Sequence, residues 1–451
     1  MRTSSGRTIA AAVAFLVAVT LLLSWRSQHI QSSLSSLGNS ILSKDLPCRS
    51  FPGANDTVVV LKTGTTEHRD KLPIHFKTNL RCYPNYMIVS DHTEEFQGHR
   101  VWDALEGVTD YVKDTHPDFE QYRRLREAGE KGLDVAEWSG ASSHEVDQSE
   151  RMQVPAWKLD KWKFLPMMNL TLTHHPDKKW YIFCEADTFF LWKTLLVWLS
   201  GLDPSEDMLL GASVNADHTQ IAHGGSGFII TRSALQKVVE LWSSNKEHWE
   251  DKTDNDEIGD GVLAQAFNKI GIFVSNAWPV LQGDRVGVVD YQPDVVPPKQ
   301  LWCSPTVSYH HINPDAIETM WEFEQDWVAR NGGWNNSNIL HHYDIFRDYS
   351  LPRIESGVRT DWDNNCKISQ GFVLGFDECH ALCERDLQCL QFLLDEESEC
   401  FSNEVFQLGA SSSHATSGWI VDRVMQTYER PDSECDGWEW PLAAMPSSKN
   451  G

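Results

Sequence analysis

Short apolar runs alternate along the chain with stretches in which apolar residues have helical spacing. Runs rich in β-branched or aromatic residues, bounded by glycine or acidic residues, predict buried strands. The predicted strands lie at residues 56–63, 85–91, 179–190 and 207–214. Helices are predicted over residues 154–172, 192–199, 233–245, 262–267 and 316–329. This alternation is typical of an α/β domain.

The aromatic run at residues 180–184 stops at two carboxylates, Glu185 and Asp187. Side chains at positions i and i+2 of an extended segment point the same way, so this pair can share one divalent cation. The carboxyl ends of strands are also where open α/β sheets bind ligands. A solvated strand end is the alternative interpretation of such a pair taken alone.

Polar residues also follow the first two predicted strands. Thr63 and Gly64 come after the first, and Asp91 ends the second. In nucleotide-binding α/β domains the loop after the first strand meets the nucleoside, so Thr63 and Gly64 are candidate contacts. An ordinary turn between strand and helix is the alternative.

A glycine loop and an acidic cluster lie further along the chain. Glycines allow the backbone to approach a ligand closely, so the loop at residues 224–227 is a candidate ligand-binding loop. The cluster of Asp254, Asp256, Glu257 and Asp260 precedes a predicted helix. Carboxylates favour the positive end of the helix dipole, and helix capping is therefore one interpretation of this cluster.

Composition narrows the class of function. The formal net charge of −25 argues against nucleic-acid binding, because the chain lacks a surplus of basic residues to contact phosphates. A length of 451 residues allows two or three domains. The sequence does not fix an oligomeric state.

The N-terminus carries a targeting signal. Residues 9–25 are uncharged and mostly apolar, and they follow Arg2 and Arg7. Basic residues ahead of a short apolar span favour a cytosolic N-terminus. We therefore expect a single-pass type II protein of the Golgi or ER membrane, with a tail at 1–8, an anchor at 9–25 and a stem at 26–50. A cleaved signal peptide and a secreted protein are the alternative.

Ten cysteines follow the apolar stretch, and an even number on the lumenal side implies disulfides. Sequons at Asn55, Asn169 and Asn335 fit glycosylation in the same compartment. Residues 331–365 are rich in Asn, Gly and His and indicate a linker. The cysteine density beyond it predicts a small disulfide-rich module over residues 366–440.

Three blocks in this order resemble the Fringe-like β1,3-glycosyltransferases of family 31, which include the core 1 galactosyltransferases. They are the acidic strand end, the G-G-S-G loop and the acidic cluster before the helix. Residues 307–311, VSYHH, are similar to the late S-[FY]-H segment of the family. The resemblance implies a GT-A-like domain with a mixed central sheet over residues 51–330, and a helix at residues 71–79.

The family resemblance also implies an activity. It is the inverting, Mn²⁺-dependent transfer of a hexose (galactose, N-acetylglucosamine or glucose) from a UDP-sugar to a hydroxyl of a glycan or glycoprotein. The usual linkage in the family is β1,3, and another divalent cation is the alternative to Mn²⁺. The implied metal ligands are Glu185, Asp187 and His310, with His311 as the alternate.

The resemblance assigns further roles by position. It implies that Asp260 removes the proton of the acceptor hydroxyl, with Asp256 and Glu257 as alternates. This chain departs from the family pattern at Gly259 and Ala264. The residues implied for the donor are Thr63, Gly64, Asp91, Lys161 (alternative Lys163), Ala186, Gly224, Gly225, Ser226 and Gly227.

The cysteine spacing C-x12-C-x3-C-x5-C-x10-C resembles a PAN or apple module. The pairing implied by that resemblance is Cys366–Cys435, Cys379–Cys400 and Cys383–Cys389. Sequence alone leaves every other connectivity open. PAN modules bind proteins or carbohydrates, so the module is either an acceptor-binding or a purely structural appendage.

Two other functions compete with a transferase. One is a non-catalytic protein that binds carbohydrate or protein through the module and carries a degenerate transferase domain. The other is a secreted hydrolase that uses paired carboxylates such as Asp187 and Asp260. Binding of UDP with manganese separates the transferase from both.

Overall fold

The structure, a computed structural model, describes a mixed α/β region with a large mixed sheet and a disulfide-rich C-terminal region. The residues it describes are 46–134, 137, 154–216, 219–291, 301–428, 435 and 440. The expected tail, anchor and first part of the stem lie outside these residues. Within them, no helix has both the length and the apolar character needed to cross a membrane.

The strands predicted from the apolar pattern are present. Those of the larger region are β1 (Thr57–Lys62), β2 (Tyr86–Ser90), β3 (Glu94–Phe96), β4 (His99–Asp103), β5 (Trp180–Glu185), β6 (Phe189–Phe190), β7 (Leu209–Gly211), β8 (Ser213–Ala216), β9 (Thr219–Ala222), β10 (Phe228–Thr231), β11 (Val274–Asn276) and β12 (Ser308–Tyr309). Among the described residues, eight strands form one sheet in the order β11-β7-β10-β5-β1-β2-β4-β3. Strand β10 runs antiparallel to β5 and β7, so the sheet is mixed.

The predicted helices are present as well, with one interruption. The helices are α1 (His68–Lys77), α2 (Asp110–Thr115), α3 (Glu120–Ala128), α4 (Pro155–Asp160), α5 (Phe164–His174), α6 (Trp192–Ser200), α7 (Arg232–Ser244), α8 (Lys246–Asp254), α9 (Gly259–Lys269), α10 (Pro314–Arg330), α11 (Phe376–Arg385) and α12 (Val421–Tyr428). The segment 154–172, expected to be one helix, is divided by a 3₁₀ turn at Lys161–Lys163.

Helices cover both faces of the sheet, which explains why its central strands are apolar without alternation. Val59 and Ile182 lie in the core on one face. Val58 and Tyr181 lie in the core on the other. Strands β1, β2 and β5 are parallel, so their carboxyl ends meet at one edge of the sheet.

The last residues of the expected stem belong to the folded domain. Residues Pro47–Ser50 form a 3₁₀ turn, and Cys48 is buried and bonded to Cys82. The expectation of a stem that reaches residue 50 is therefore wrong at its end, because this disulfide fixes the segment to the chain just before β2.

The C-terminal region contains a five-stranded antiparallel sheet in the order β13-β17-β15-β16-β14. Its strands are β13 (Val358–Asp363), β14 (Ile368–Phe372), β15 (Gln391–Asp395), β16 (Glu399–Asn403) and β17 (Ala410–Trp419). Disulfides Cys379–Cys400 and Cys383–Cys389 join α11 to this region, as expected.

The expected disulfide between Cys366 and Cys435 is wrong. Cys435 is bonded to Cys303 of the larger region. Cys366 is a free thiol whose sulfur accepts a hydrogen bond from Gln391 Nε2 at 3.6 Å. The disulfide therefore joins the two regions.

The expected linker at residues 331–365 is also wrong. It contains helical turns at His342–Asp344, Ile345–Ser350 and Leu351–Ile354 and the whole of β13. Phe346 of this segment packs in one apolar cluster with Trp302 of the larger region and Phe406 and Tyr428 of the C-terminal region. Its apolar residues are spaced among Asn, Gly and His, and the composition of the segment therefore did not indicate that they would pack in a core.

Candidate functional site

The acidic strand end and the late histidines come together through a short strand pair. Glu185 ends β5, and Asp187 lies in the turn before β6. Strand β12 pairs antiparallel with β6, with Tyr309 opposite Phe189. The backbone N–H of Ile312 donates to the carbonyl oxygen of Asp187 at 2.9 Å. This pairing brings His310 to the carboxylates.

Carboxylate and imidazole atoms face one another at this point. His310 Nε2 lies 3.4 Å from Glu185 Oε2 and 3.3 Å from Asp187 Oδ1. His311 Nδ1 lies 3.9 Å from Asp187 Oδ2. One ligand atom from each of Asp187, His310 and His311 lies within 4.8 Å of the others. The expected ligands are therefore close neighbours.

These atoms suit a divalent cation. Asp187 is 6% exposed and His310 is 4% exposed. Asp187 Oδ1 and His310 Nε2 are buried without a hydrogen-bond partner, which is costly unless a cation or a proton lies between them. Carboxylate oxygen together with imidazole nitrogen is a ligand set that Mn²⁺ and Zn²⁺ accept.

Two lysines missed by sequence reasoning hold the carboxylates. Lys62 Nζ lies 3.2 Å from Glu185 Oε1 and also pairs with Asp160. Lys71 Nζ lies 3.2 Å from Asp187 Oδ2. The sequence does show that Lys62 ends an apolar strand, as Glu185 does. The register of the two strands then places Lys62 opposite Glu185.

Nearby positive charges keep Glu185 and Asp187 ionised. Burial alone raises the pKa of Glu185, but Lys62 and His310 outweigh it and hold that pKa well below its usual range. Burial likewise opposes ionisation of Asp187, and Lys71 and His310 bring its pKa well below normal. Burial lowers the pKa of His310, yet Asp187 and Glu185 raise it to about 9.

The glycine loop separates this group from Asp260. A Cβ atom on Gly225 would lie 2.1–2.5 Å from ring atoms of His310, and one on Gly224 would lie 2.9 Å from Asp260 Oδ1. The Gly224 N–H donates to Asp260 Oδ2 at 2.8 Å. The hydroxyl of Thr188 fixes the loop by donating to the Gly225 carbonyl at 2.7 Å. Side chains larger than hydrogen do not fit between His310 and Asp260.

The rest of the loop is anchored to the sheet and to β12. Ser226 is buried, and its carbonyl oxygen accepts a hydrogen bond from Ser308 Oγ at 2.6 Å. Gly227 has a φ of +78°, a conformation that favours glycine. These anchors keep the loop in place between the two groups.

Asp260 has the character of a base near neutral pH. It lies in the first turn of α9. Burial raises the pKa of Asp260 to about 7, against the opposing hydrogen bond from Gly224. The alternates have other surroundings: Asp256 accepts from the Ile258 N–H at 3.2 Å and from Gln265 Nε2 at 2.7 Å, and Glu257 is exposed.

The predicted donor-side residues lie at the ends of β1 and β2. Asp91 Oδ1 accepts from the backbone N–H and the hydroxyl of Thr65, each at 2.6 Å. Lys163 Nζ donates to the Thr63 carbonyl at 2.9 Å, and a Cβ on Gly64 would lie 3.7 Å from the same nitrogen. Asp91 Oδ2 is buried without a partner.

Lys161 lies apart from these residues. Its Nζ donates to the carbonyl oxygens of Asp254 at 3.1 Å and Asp256 at 3.0 Å. The preference for Lys161 over Lys163 is therefore not supported, because the turn between α4 and α5 directs Lys163 toward Thr63. Ala186 is buried, and its carbonyl oxygen contacts His75 Nε2 at 2.7 Å.

The three sequons differ in exposure. Asn55 and Asn335 are exposed, whereas Asn169 lies half-buried within α5. Glycosylation at all three remains a prediction, and the exposed pair suits it best.

Comparison with known proteins assigns no family to the chain. No protein-family model matches it, and a search of curated proteins found no match.

Proposed function

We propose that this protein is a metal-dependent, inverting glycosyltransferase that moves a hexose from a UDP-sugar to a hydroxyl of a glycan or glycoprotein. One observation carries the proposal: a half-buried carboxylate with a pKa near 7, Asp260, lies across the Gly224–Gly225 backbone from His310 and the acidic pair. A cation-binding group and a base lie on either side of a backbone without side chains, and this arrangement supports transfer from a sugar diphosphate.

Glu185, Asp187 and His310 are the residues that would hold the cation, with His311 beside them. Manganese bound there would act as a Lewis acid on the diphosphate leaving group. Lys62 and Lys71 keep the two carboxylates charged and oriented. Gly225 leaves space for the imidazole of His310.

Asp260 performs the proton transfer in this proposal. The acceptor oxygen attacks the anomeric carbon as the bond from that carbon to the UDP oxygen breaks, and the hydroxyl proton passes to the Asp260 carboxylate. Attack opposite the leaving group inverts the anomeric configuration. The Gly224 N–H holds the carboxylate in place through the hydrogen bond at 2.8 Å.

The loop after β1 would form the nucleoside side of the site. Thr63 and Gly64 lie there, with Lys163 beneath them and Asp91 at the end of β2. We assign the donor contacts to these residues and to Ala186 and the loop 224–227, and assign β1,3 as the linkage to be tested first.

Location in the Golgi or ER lumen is part of the proposal. The four disulfides among the described residues require an oxidising compartment, which supports lumenal folding. The apolar stretch at residues 9–25 would provide the anchor.

Calorimetry of the full chain in detergent, titrated with UDP in the presence and absence of Mn²⁺, tests the proposal. We expect UDP to bind only with Mn²⁺ and to lose binding in Asp187→Asn. In contrast, Asp260→Asn should bind UDP and Mn²⁺ normally and fail to transfer sugar. Absence of UDP binding in the wild type would contradict the proposal and favour a non-catalytic carbohydrate-binding protein.

A further inference from the structure

Three potential metal ligands from separate segments converge at the N-terminal end of α1. They are His68, the first residue of α1, Glu94, the first residue of β3, and Glu130 in the turn after α3. His68 Nε2 lies 3.4 Å from Glu94 Oε1 and 3.5 Å from Glu130 Oε1. One ligand atom from each residue lies within 4.8 Å of the others.

The orientation of the His68 ring presents a lone pair to the carboxylates. Its Nδ1 lies 2.9 Å from the carbonyl oxygen of Thr65, which can only accept, so Nδ1 carries the proton. A neutral ring then has an unprotonated Nε2. Metal-bound histidines commonly donate their other N–H to a backbone carbonyl in this way.

Two of the candidate ligand atoms have no hydrogen-bond partner among the described residues. His68 is completely buried, and its Nε2 and Glu94 Oε1 have no hydrogen-bond partner. Burial is the largest influence on the pKa of His68 and lowers it, although Glu94 opposes this. Arg69 Nε donates to Glu130 Oε1 at 2.8 Å and orients that carboxylate.

We propose that His68, Glu94 and Glu130 form a zinc site separate from the Asp187–His310 group. Ligand atoms at about 2.0–2.2 Å from a tetrahedral Zn²⁺ are roughly 3.3–3.6 Å from one another. The distances of 3.4 and 3.5 Å from His68 Nε2 agree with this geometry. The side chains of Glu94 and Glu130 are 19% and 22% exposed, so water can occupy the fourth position.

Zinc at this site would fix the loop that leads from β1 into α1. The carbonyl of Thr65 contacts the His68 ring, and the N–H of Thr65 donates to Asp91. One turn along α1, Lys71 pairs with Asp187. The site is thus structural in kind and does not depend on the proposed transferase activity.

Zinc titration of the EDTA-treated full chain tests this site, with bound metal counted by mass spectrometry. The titration is made in the Asp187→Asn background, which weakens the other metal group. We expect one Zn²⁺ per chain there, and a loss of affinity of about tenfold or more in Glu94→Gln and in Glu130→Gln. Glu95→Gln is the matched control, because Glu95 is the next residue of β3 and is exposed.

Unchanged zinc affinity in both glutamine variants, with folding verified by circular dichroism, would overturn the proposal. So would ¹⁵N NMR showing the His68 ring protonated on both nitrogens at neutral pH in the presence of Zn²⁺. Zinc bound here while UDP fails to bind would leave this site standing and reject the transferase. UDP binding by a chain that binds no zinc at His68, Glu94 and Glu130 would support the transferase and reject the zinc site.

Discussion

Lys62 shows how a single residue sets the charge of the candidate site. It is 8% exposed at the end of β1 and pairs with Glu185 and Asp160. Burial alone lowers the pKa of a lysine, but the two carboxylates raise the pKa of Lys62 above its usual range. A permanent positive charge at this depth keeps Glu185 ionised, so the acidic pair is ready for a cation at neutral pH.

Asp260 leads to a prediction about pH. With a pKa of about 7, its carboxylate is protonated below neutral pH and cannot accept a proton. We expect kcat/KM to rise with pH and to level off above about pH 7, and Asp260→Asn to lower kcat by roughly 10²–10⁴-fold. The control Asp256→Asn changes the carboxylate that accepts from Gln265 and should keep the pH profile of the wild type. The same loss in both variants would reject Asp260 as the base.

Glu324 leads to a prediction about stability. Burial raises the pKa of this α10 residue to about 8, against hydrogen bonds from the N–H groups of Lys193 and Trp192. The folded state therefore holds a proton that the unfolded state releases above its usual pKa of 4.5. The free energy of unfolding should fall as pH rises from 4.5 to 8.

Glu324→Gln should remove part of this fall, because an amide keeps the acceptor and cannot ionise. Guanidinium unfolding at pH 6 and pH 8 measures the difference, and the exposed Glu322→Gln on the same helix is the control. Equal pH dependence in the wild type and Glu324→Gln would show that Glu324 does not hold the proton.

At the scale of elements, the glycine loop joins two groups of different chemistry. Gly225 faces the ring of His310, and Gly224 faces Asp260. The loop is fixed by Thr188, the residue before β6, and by Ser308 of β12. The strand pair that carries the histidine therefore also anchors the loop, and a change in either element displaces both groups.

Gly225→Ala tests this coupling. Its methyl group would lie 2.1–2.5 Å from the His310 ring, which must move. We expect weaker Mn²⁺ binding by about tenfold and a loss of about 1–3 kcal/mol of stability. Gly375→Ala, where an added methyl meets nothing within 4 Å, should change neither calorimetric Mn²⁺ affinity nor thermal unfolding. Normal Mn²⁺ binding by Gly225→Ala would mean that His310 is not a ligand.

At the scale of the whole molecule, one apolar cluster and one disulfide join the two regions. Phe346, Phe406 and Tyr428 pack together with Trp302. Gly409 N–H donates to the Gly287 carbonyl at 2.7 Å across the same contact. The C-terminal sheet is therefore held against the larger region by the segment expected to be a linker.

Removal of the disulfide between the regions tests this attachment. Cys435→Ser breaks the bond to Cys303 and should lower the free energy of unfolding by about 2–4 kcal/mol. Cys366→Ser changes a free thiol and should leave the unfolding midpoint unchanged. If Cys366→Ser lowers the free energy of unfolding as much as Cys435→Ser does, Cys366 rather than Cys303 is the partner of Cys435.

Local pattern predicted much of the fold, since β1, β2 and β5 are continuous apolar runs and α7 and α10 have clear helical spacing. It also indicated the acidic pair and the late histidines. It did not predict Lys71 at Asp187, because that contact depends on how α1 packs over the sheet edge. The error at Cys366 has the same cause: disulfide partners are chosen by long-range packing, which spacing does not encode.

The pairing of β6 with β12 has a consequence for folding order. The parallel strands β1, β2 and β5 are complete once residue 185 has been made, yet His310 joins them only when the chain extends past residue 309. A nascent chain released before that point would contain the acidic pair and both lysines without the imidazole. Under the proposed function, Mn²⁺ retention at the acidic pair is therefore expected only of chains that extend past His310, and truncated products should be separable from finished ones by their Mn²⁺ content.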